Sequence, residues 1–244
     1  MPIHWSSRQG IQTSSNNDAA AIANKAGTLV AMLVDGAEKG ANGQGLARHW
    51  ARQVVQHLCA LPGRPSCTDA LHTMRQVQRD LRHYFLNEVA SYCLLILDLN
   101  RGSGQLLHTG DCLAVMERQH QAREWLNEPH TLDRQFKLDP LGSRHILTAA
   151  LNARRFHDPS CKEIQLHPQH TLKLCTDGYW AEHLQDGATL SELVDDASAL
   201  SVQLGEWRID SESDCDNFMV LNNTIPNVTK LTPQRTTKES SCRS

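Results

Sequence analysis

The sequence predicts an α+β fold in which antiparallel sheets pack face to face with helices outside. Three observations carry this. Strand-length apolar runs come first, two consecutive helical segments follow, and more strands come after them. That order does not build the alternating strand–helix–strand units of a parallel sheet. The apolar spacing then changes near residue 92, from a helical stripe to a nearly continuous run. With 244 residues, the chain is long enough for one large layered domain.

The elements follow in order. Residues 1–9 read as an opening strand. Residues 18–23 and 28–34 are apolar runs joined by Asn24-Lys25-Ala26-Gly27, a hairpin whose second strand ends at Asp35. Across 44–60, Leu46, Trp50, Val54 and Leu58 recur every four residues, which predicts a helix with one apolar stripe. A second helix is expected over about 69–89, with Leu71, Met74, Leu81 and Phe85 on one side. Cys93 to Leu99 reads as a buried strand, and Asn100 to Gly104 as a hairpin loop. Leu106 to Thr109 and Leu113 to Met116 continue as strands around Gly110-Asp111. Residues 117–145 are polar and irregular. Short strands are expected at 146–151, 164–166 and 171–175, helices at 178–184 and 188–200, and a last strand at 218–221. Residues 1–223 make one domain; from about 224 the composition predicts a polar, disordered tail.

Composition excludes several classes. The net charge of −3 offers no basic field for nucleic acid or an anionic membrane. No run of 18 apolar residues spans a bilayer, and the first residues lack a signal-peptide pattern, so the cytoplasm is the expected compartment. The eight cysteines are scattered, with no Cys-x-x-Cys pair. Most read as small buried hydrophobes in a reducing compartment.

Asp18, Asp35, Asp177 and Asp216 each stand at the end of a strand-like run. Carboxylates converging from strand ends repel one another unless cations join them, and hard divalent ions are the natural remedy. Singly, Asp-Gly is a common turn dipeptide. The joint order carries more: Asn16-Asn17-Asp18, then Val34-Asp35-Gly36, then Thr109-Gly110-Asp111, then Leu174-Cys175-Thr176-Asp177-Gly178-Tyr179-Trp180, then Asp216-Asn217.

That order resembles the metal-dependent serine/threonine protein phosphatases (PPM, also called protein phosphatase 2C), over about residues 5–222. The resemblance implies a four-layer α-β-β-α sandwich with a two-metal centre, holding Mn²⁺ or Mg²⁺, at one end. It makes Asp35 and Asp177 the candidate catalytic residues. Asp35 would bridge both ions, the Gly36 carbonyl would ligate one, Asp177 and Asp216 would hold the first, and Asp18 its neighbour. Asp111 either helps to hold a third ion or simply caps a hairpin. There are departures. Thr13 stands where the family usually has a phosphate-gripping Arg, and Ala37 where some members carry a His. Glu38 and Lys39 replace expected glycines, and Lys39 either supplies positive charge to the phosphate or is a solvated loop lysine. The implied function is a bacterial-type, monomeric phosphatase of phosphoserine and phosphothreonine proteins, paired with a Ser/Thr kinase in signal transduction. Two alternatives stay open: a regulatory module of the same fold with little turnover, and a hydrolase of small phosphoesters.

Overall fold

In the computed structural model, which describes residues 1–119, 121–136 and 146–221, side chains alternate along the central strands and both faces are covered. Along β3 (Thr28–Gly36), Val30, Met32 and Val34 enter one core, while Leu29, Ala31 and Leu33 enter another. In β2 (Asp18–Lys25), Ala19, Ala21 and Ala23 oppose Ala20 and Ile22 in the same way. In β4 (Val89–Asp98), Leu94 and Ile96 oppose Cys93, Leu95 and Leu97. A strand buried on both faces needs apolar residues at every position, which is why these segments read as solid apolar blocks.

Two sheets result. The first runs β13 (Phe218–Val220), β2, β3, β4, β5 (Ser103–Thr109), β9 (Ser160–Gln165), with β8 (Leu151–Asn152) on β4. The second runs β12 (Arg208–Ser213), β1 (Pro2–Arg8), β11 (Ala197–Val202), β10 (His170–Cys175), β6 (Leu113–Arg118), β7 (Glu124–Trp125). The core between the sheets includes Trp5, Ile22, Leu33, Leu95, Leu174 and Leu200. Most pairings are antiparallel, as expected. β1 with β12 and β2 with β13 are parallel, so both sheets are mixed at an edge.

Helices cover the outer faces. α1 (Gly43–Ala60) and α2 (Cys67–Asp80) lie on the first sheet through Leu46, Trp50, Val54, Leu58 and Met74. Asn42 caps α1 by accepting from the Gly45 amide, and Ser66 with Asp69 forms a capping box on α2. On the second sheet, Tyr179 and Trp180 of α4 (Gly178–Gln185), a π-helical segment, pack on Leu113, Val115, Ala197 and Ala199. A short α3 (Leu132–Phe136) lies between β7 and β8. The layers are therefore helix, sheet, sheet, helix.

Three expectations change. The second helix ends at Asp80 rather than 89, because a 3₁₀ turn at Leu81–His83 swings the chain toward β4. The segment 188–200 does not form a helix; it ends in β11, whose Ala and Ser residues fit a strand packed on both faces. The strand expected at 146–151 shrinks to a Thr131–Leu147 bridge and β8. The expected tail at 224–244 lies outside the described residues. No helix among the described residues is long and apolar enough to cross a membrane.

Asn217 ties the sheets together. Fully buried, it donates to Ser7 Oγ at 2.8 Å and to the Asp18 carbonyl at 3.0 Å. Its Oδ1 accepts from Trp5 Nε1 at 3.0 Å and Ser213 Oγ at 2.8 Å. Replacing Asn217 by Ala removes the acceptor of buried Trp5 Nε1 and a donor to the Asp18 carbonyl, while Ser7 and Ser213 keep other partners. We expect Asn217→Ala to lose about 3 kcal/mol in urea unfolding. A loss below about 0.5 kcal/mol, the scale of an ordinary surface change, would contradict the network's role.

Candidate metal centre

The carboxylates come from the rims of both sheets. Asp18 opens β2 and Asp35 stands one residue from the end of β3; the two are directly paired in the ladder. Like charges directly opposite one another are destabilising. Asp111 lies in the turn between β5 and β6, Asp177 caps α4 just after β10, and Asp195 stands two residues before β11. Asp35, Gly36, Lys39, Asp111, Asp177 and Asp195 line one pocket of about 320 Å³.

The electrostatics reflect this crowding. Burial, then the charges of Asp18, Asp177, Asp111 and Asp195, hold the Asp35 carboxyl well above the usual carboxylate range. Burial, then Asp111, Asp195 and Asp18, do the same to Asp177. Asp18 is pushed up by burial and then by Asp196. Asp195 is pushed up to about 6, mainly by burial. Neutral protein surroundings disfavour every one of these anions, and each disfavours the others.

Local bonds fix the carboxylates in place. Thr176 Oγ1 donates to Asp18 Oδ2 at 3.1 Å, and the Gly178 amide to Asp177 Oδ1 at 2.8 Å. Ser91 Oγ donates to Asp111 Oδ1 at 2.6 Å, and Trp180 Nε1 to the Asp111 carbonyl at 2.9 Å. Gly110 has φ +92°, and a Cβ there would fall 2.1 Å from Ser91 Oγ, so the turn that presents Asp111 requires glycine. Asp18 Oδ1 is buried without a hydrogen-bond partner. A buried orphaned carboxylate oxygen among like charges fits a hard cation. Among the described residues, no three Asp, Glu, His or Cys side chains form a ready-made chelate. Mg²⁺-type ions keep several waters and need only one or two direct carboxylates, so a sparse all-oxygen set still suits them.

Not every expected site residue arrives here. Asp216 is exposed in the turn between β12 and β13, outside the lining of this pocket. Asp195, which the sequence did not single out, is in that lining. Its signal is that of Asp18, an acid just before an apolar strand, but that strand reads as a helix from sequence. Thr13 does not reach the pocket lining. It is buried in the 10–17 loop, its hydroxyl 2.6 Å from Asp196 Oδ1. Asp196 also accepts from the Gly10 amide at 3.0 Å and the Asn17 amide at 2.7 Å. Lys39, by contrast, is the one basic side chain among the described residues lining the pocket.

The loop bearing Lys39 is clamped from below. Glu88 Oε1 accepts from the amides of Ala41 at 3.1 Å and Asn42 at 3.2 Å. Glycine at 40 leaves room for that carboxylate, since a Cβ there would stand 1.6 Å from Glu88 Oε2.

Known folds place this arrangement. No protein-family model and no curated protein sequence matches the chain. Solved structures do match: a bacterial serine phosphatase superposes with TM-score 0.72 at 14% identity, over 83% of this chain and 97% of its own. The serine/threonine phosphatase of Staphylococcus aureus gives 0.71 at 13% identity, over 84% and 95%. The PPM Ser-Thr phosphatase of Mycobacterium smegmatis gives 0.64 at 20%, over 83% and 98%. The chain has the PPM phosphatase fold. Within that PPM fold, Asp18, Asp35, Asp111, Asp177 and Asp195 share one end of the sandwich.

Two outcomes follow for this end of the PPM fold. A carboxyl whose folded pKa is raised stabilises the fold below its unfolded pKa, and that contribution is lost as pH rises through the folded value. For Asp195 the window runs from 3.8 to about 6, and Asp18, Asp35 and Asp177 extend it upward. Buried His108, pushed down to about 4 from 6.5, acts in the opposite sense below 6.5. The Met1 amino group, pushed down from 8.0 by burial, acts in the same sense as His108 up to pH 8, so the carboxylate effect is isolated by comparing chelator-treated protein with and without Mn²⁺. The rise in melting temperature on adding Mn²⁺ should grow as pH rises above about 6. A flat profile would mean that the carboxylates do not repel as described. Separately, Asp196→Ala should cost about 2–4 kcal/mol in denaturant unfolding, because it strands the Gly10 and Asn17 amides and leaves the Thr13 hydroxyl only the Gly10 carbonyl.

Proposed function

We propose that the chain is a metal-dependent phosphatase of phosphoserine and phosphothreonine in proteins that a Ser/Thr kinase has modified. The observation that carries this reading is the convergence of Asp35, Asp111, Asp177 and Asp195 on one pocket, with Asp18 behind them. Asp18, Asp35, Asp177, Asp195 and the Gly36 carbonyl would hold Mn²⁺ or Mg²⁺, with Asp111 to one side. Two such ions, when bound, lower the pKa of a water and neutralise the oxygens of an in-line phosphoryl displacement.

The chain's own residues do the rest. Asp35, near the end of β3, and Asp177, at the cap of α4, would fix where the ions sit and so how the substrate phosphate is oriented. Lys39 supplies the positive charge that meets the substrate phosphate, in place of the Arg that Thr13 replaces. Glu88 positions the Lys39 loop through the Ala41 and Asn42 amides. Two departures favour a second reading, a regulatory module that binds metal with little turnover: Thr13 is committed to Asp196, and Glu38 adds negative charge to the pocket wall.

Turnover of a phosphopeptide panel and an aryl phosphate separates these readings. Activity should require Mn²⁺ or Mg²⁺ and vanish with chelation. Asp35→Ala, Asp177→Ala and Asp195→Ala should each lower kcat on the order of 10²-fold or more, while Asp216→Ala keeps near wild-type turnover. Loss of activity in Asp216→Ala with Asp195→Ala active would reverse this assignment. Metal binding by calorimetry without turnover would favour the regulatory module, and turnover of the aryl phosphate alone a small-phosphoester hydrolase. Lys39→Ala should raise KM for a phosphopeptide roughly 5- to 20-fold with little change in kcat, the scale of one charge-assisted bond made equally in ground and transition states. Lys39→Arg should recover it.

A further inference from the structure

Two cysteines depart from the buried-hydrophobe expectation. Cys67 is the first residue of α2 and Cys161 the second of β9, 94 positions apart in sequence. Their Sγ atoms lie 3.2 Å apart. Cys161 is exposed and Cys67 partly exposed, whereas Cys93, Cys112 and Cys175 are buried. Both positions are rigid. Ser66 and Asp69 fix the start of α2 with a capping box, and β9 pairs with β5 at six consecutive positions. To bond, the sulfurs must close from 3.2 Å to about 2.05 Å.

The pair also lies beside a cleft of about 600 Å³. Pro65 and Ser66, just before Cys67, belong to one wall; Glu163, Ile164 and Gln165, just after Cys161, belong to the other. A bond between the two sulfurs would staple the helical layer to the edge strand of the first sheet.

We infer that Cys67 and Cys161 form a reversible intramolecular disulfide by exchange with a low-molecular-weight disulfide such as oxidised glutathione. One of the two cysteines, as its thiolate, bonds to one sulfur of the oxidant and displaces one small thiol. The sulfur of the other cysteine then bonds to it and displaces the second. Two cysteine thiols are oxidised, one small disulfide is reduced to two thiols, and the two cysteine protons end on those thiols.

The test uses the full chain, incubated with oxidised glutathione, quenched by alkylation and digested without reductant. The expected product is a Cys67–Cys161 linked peptide with the loss of two hydrogens, reversed by dithiothreitol. Oxidised wild type should melt several degrees higher than reduced protein, since closing a long loop constrains the unfolded chain. Cys67→Ser and Cys161→Ser, each folded in its own melt, should show neither the link nor the rise. Glutathione adducts alone, a bridge to another cysteine, or the same melting rise in Cys67→Ser would each overturn the inference. Because none of these readouts depends on turnover, they stand whether or not the phosphatase reading does.

Discussion

Like charges gathered at one rim set the terms for this molecule. Asp18 and Asp35 face each other across a ladder, and Asp111, Asp177 and Asp195 close in from the neighbouring turns. Water reaches Asp35, Asp177 and Asp195, which are half-buried at the pocket, but Asp18 and Asp111 are buried behind them. The layered core must therefore hold a cluster that, without counter-ions, works against folding. It does so with length: β2, β3 and β4 run eight to ten residues each and pair along nearly all of it.

Order around the cluster rests on three buried polar side chains, two of which, Asp196 and Glu88, accept from backbone amides. Asp196 gathers the 10–17 loop, Asn217 joins β1, β2 and the β12–β13 turn, and Glu88 holds the loop that leads into α1. Irregular chain near a buried site carries amides that the sheets cannot satisfy, and one well-placed acceptor answers two or three of them. This explains why Asp195 and Asp196, adjacent in sequence, do different work. One looks into the pocket, and the other looks into the loop that walls it.

Much of this was legible in the sequence. The hairpin of β2 and β3, the stripe of α1 and the run of β4 followed from spacing alone, as did Asp18, Asp35 and Asp177 at strand ends. The rest was hidden for physical reasons. Ala197-Ser198-Ala199 reads as helical because small residues suit a helix as well as a strand squeezed between two layers. That reading concealed Asp195, while at Asp216-Asn217 it is Asn217 that is buried. Glu88 was absorbed into the end of an overlong helix. Thr13 marked a real departure, but its partner, Asp196, lies 183 positions away. The parallel pairings at the sheet edges depend on strands at opposite ends of the chain, which no local pattern reports.

Those edge pairings bear on how the chain is made. β1 is flanked by β11 and β12, and β2 by β13, so the earliest segments are completed by the latest. At about 5–20 residues per second, the ribosome needs roughly ten to forty seconds between delivering the first strand and its partners. During that time Trp5 and Ile3 lack the neighbours that later bury them, and the two open strands expose edges that invite mispairing. Contacts this distant also slow the search itself. A nascent chain halted before residue 197 would therefore carry helices and a half-built sandwich without the strands that close it.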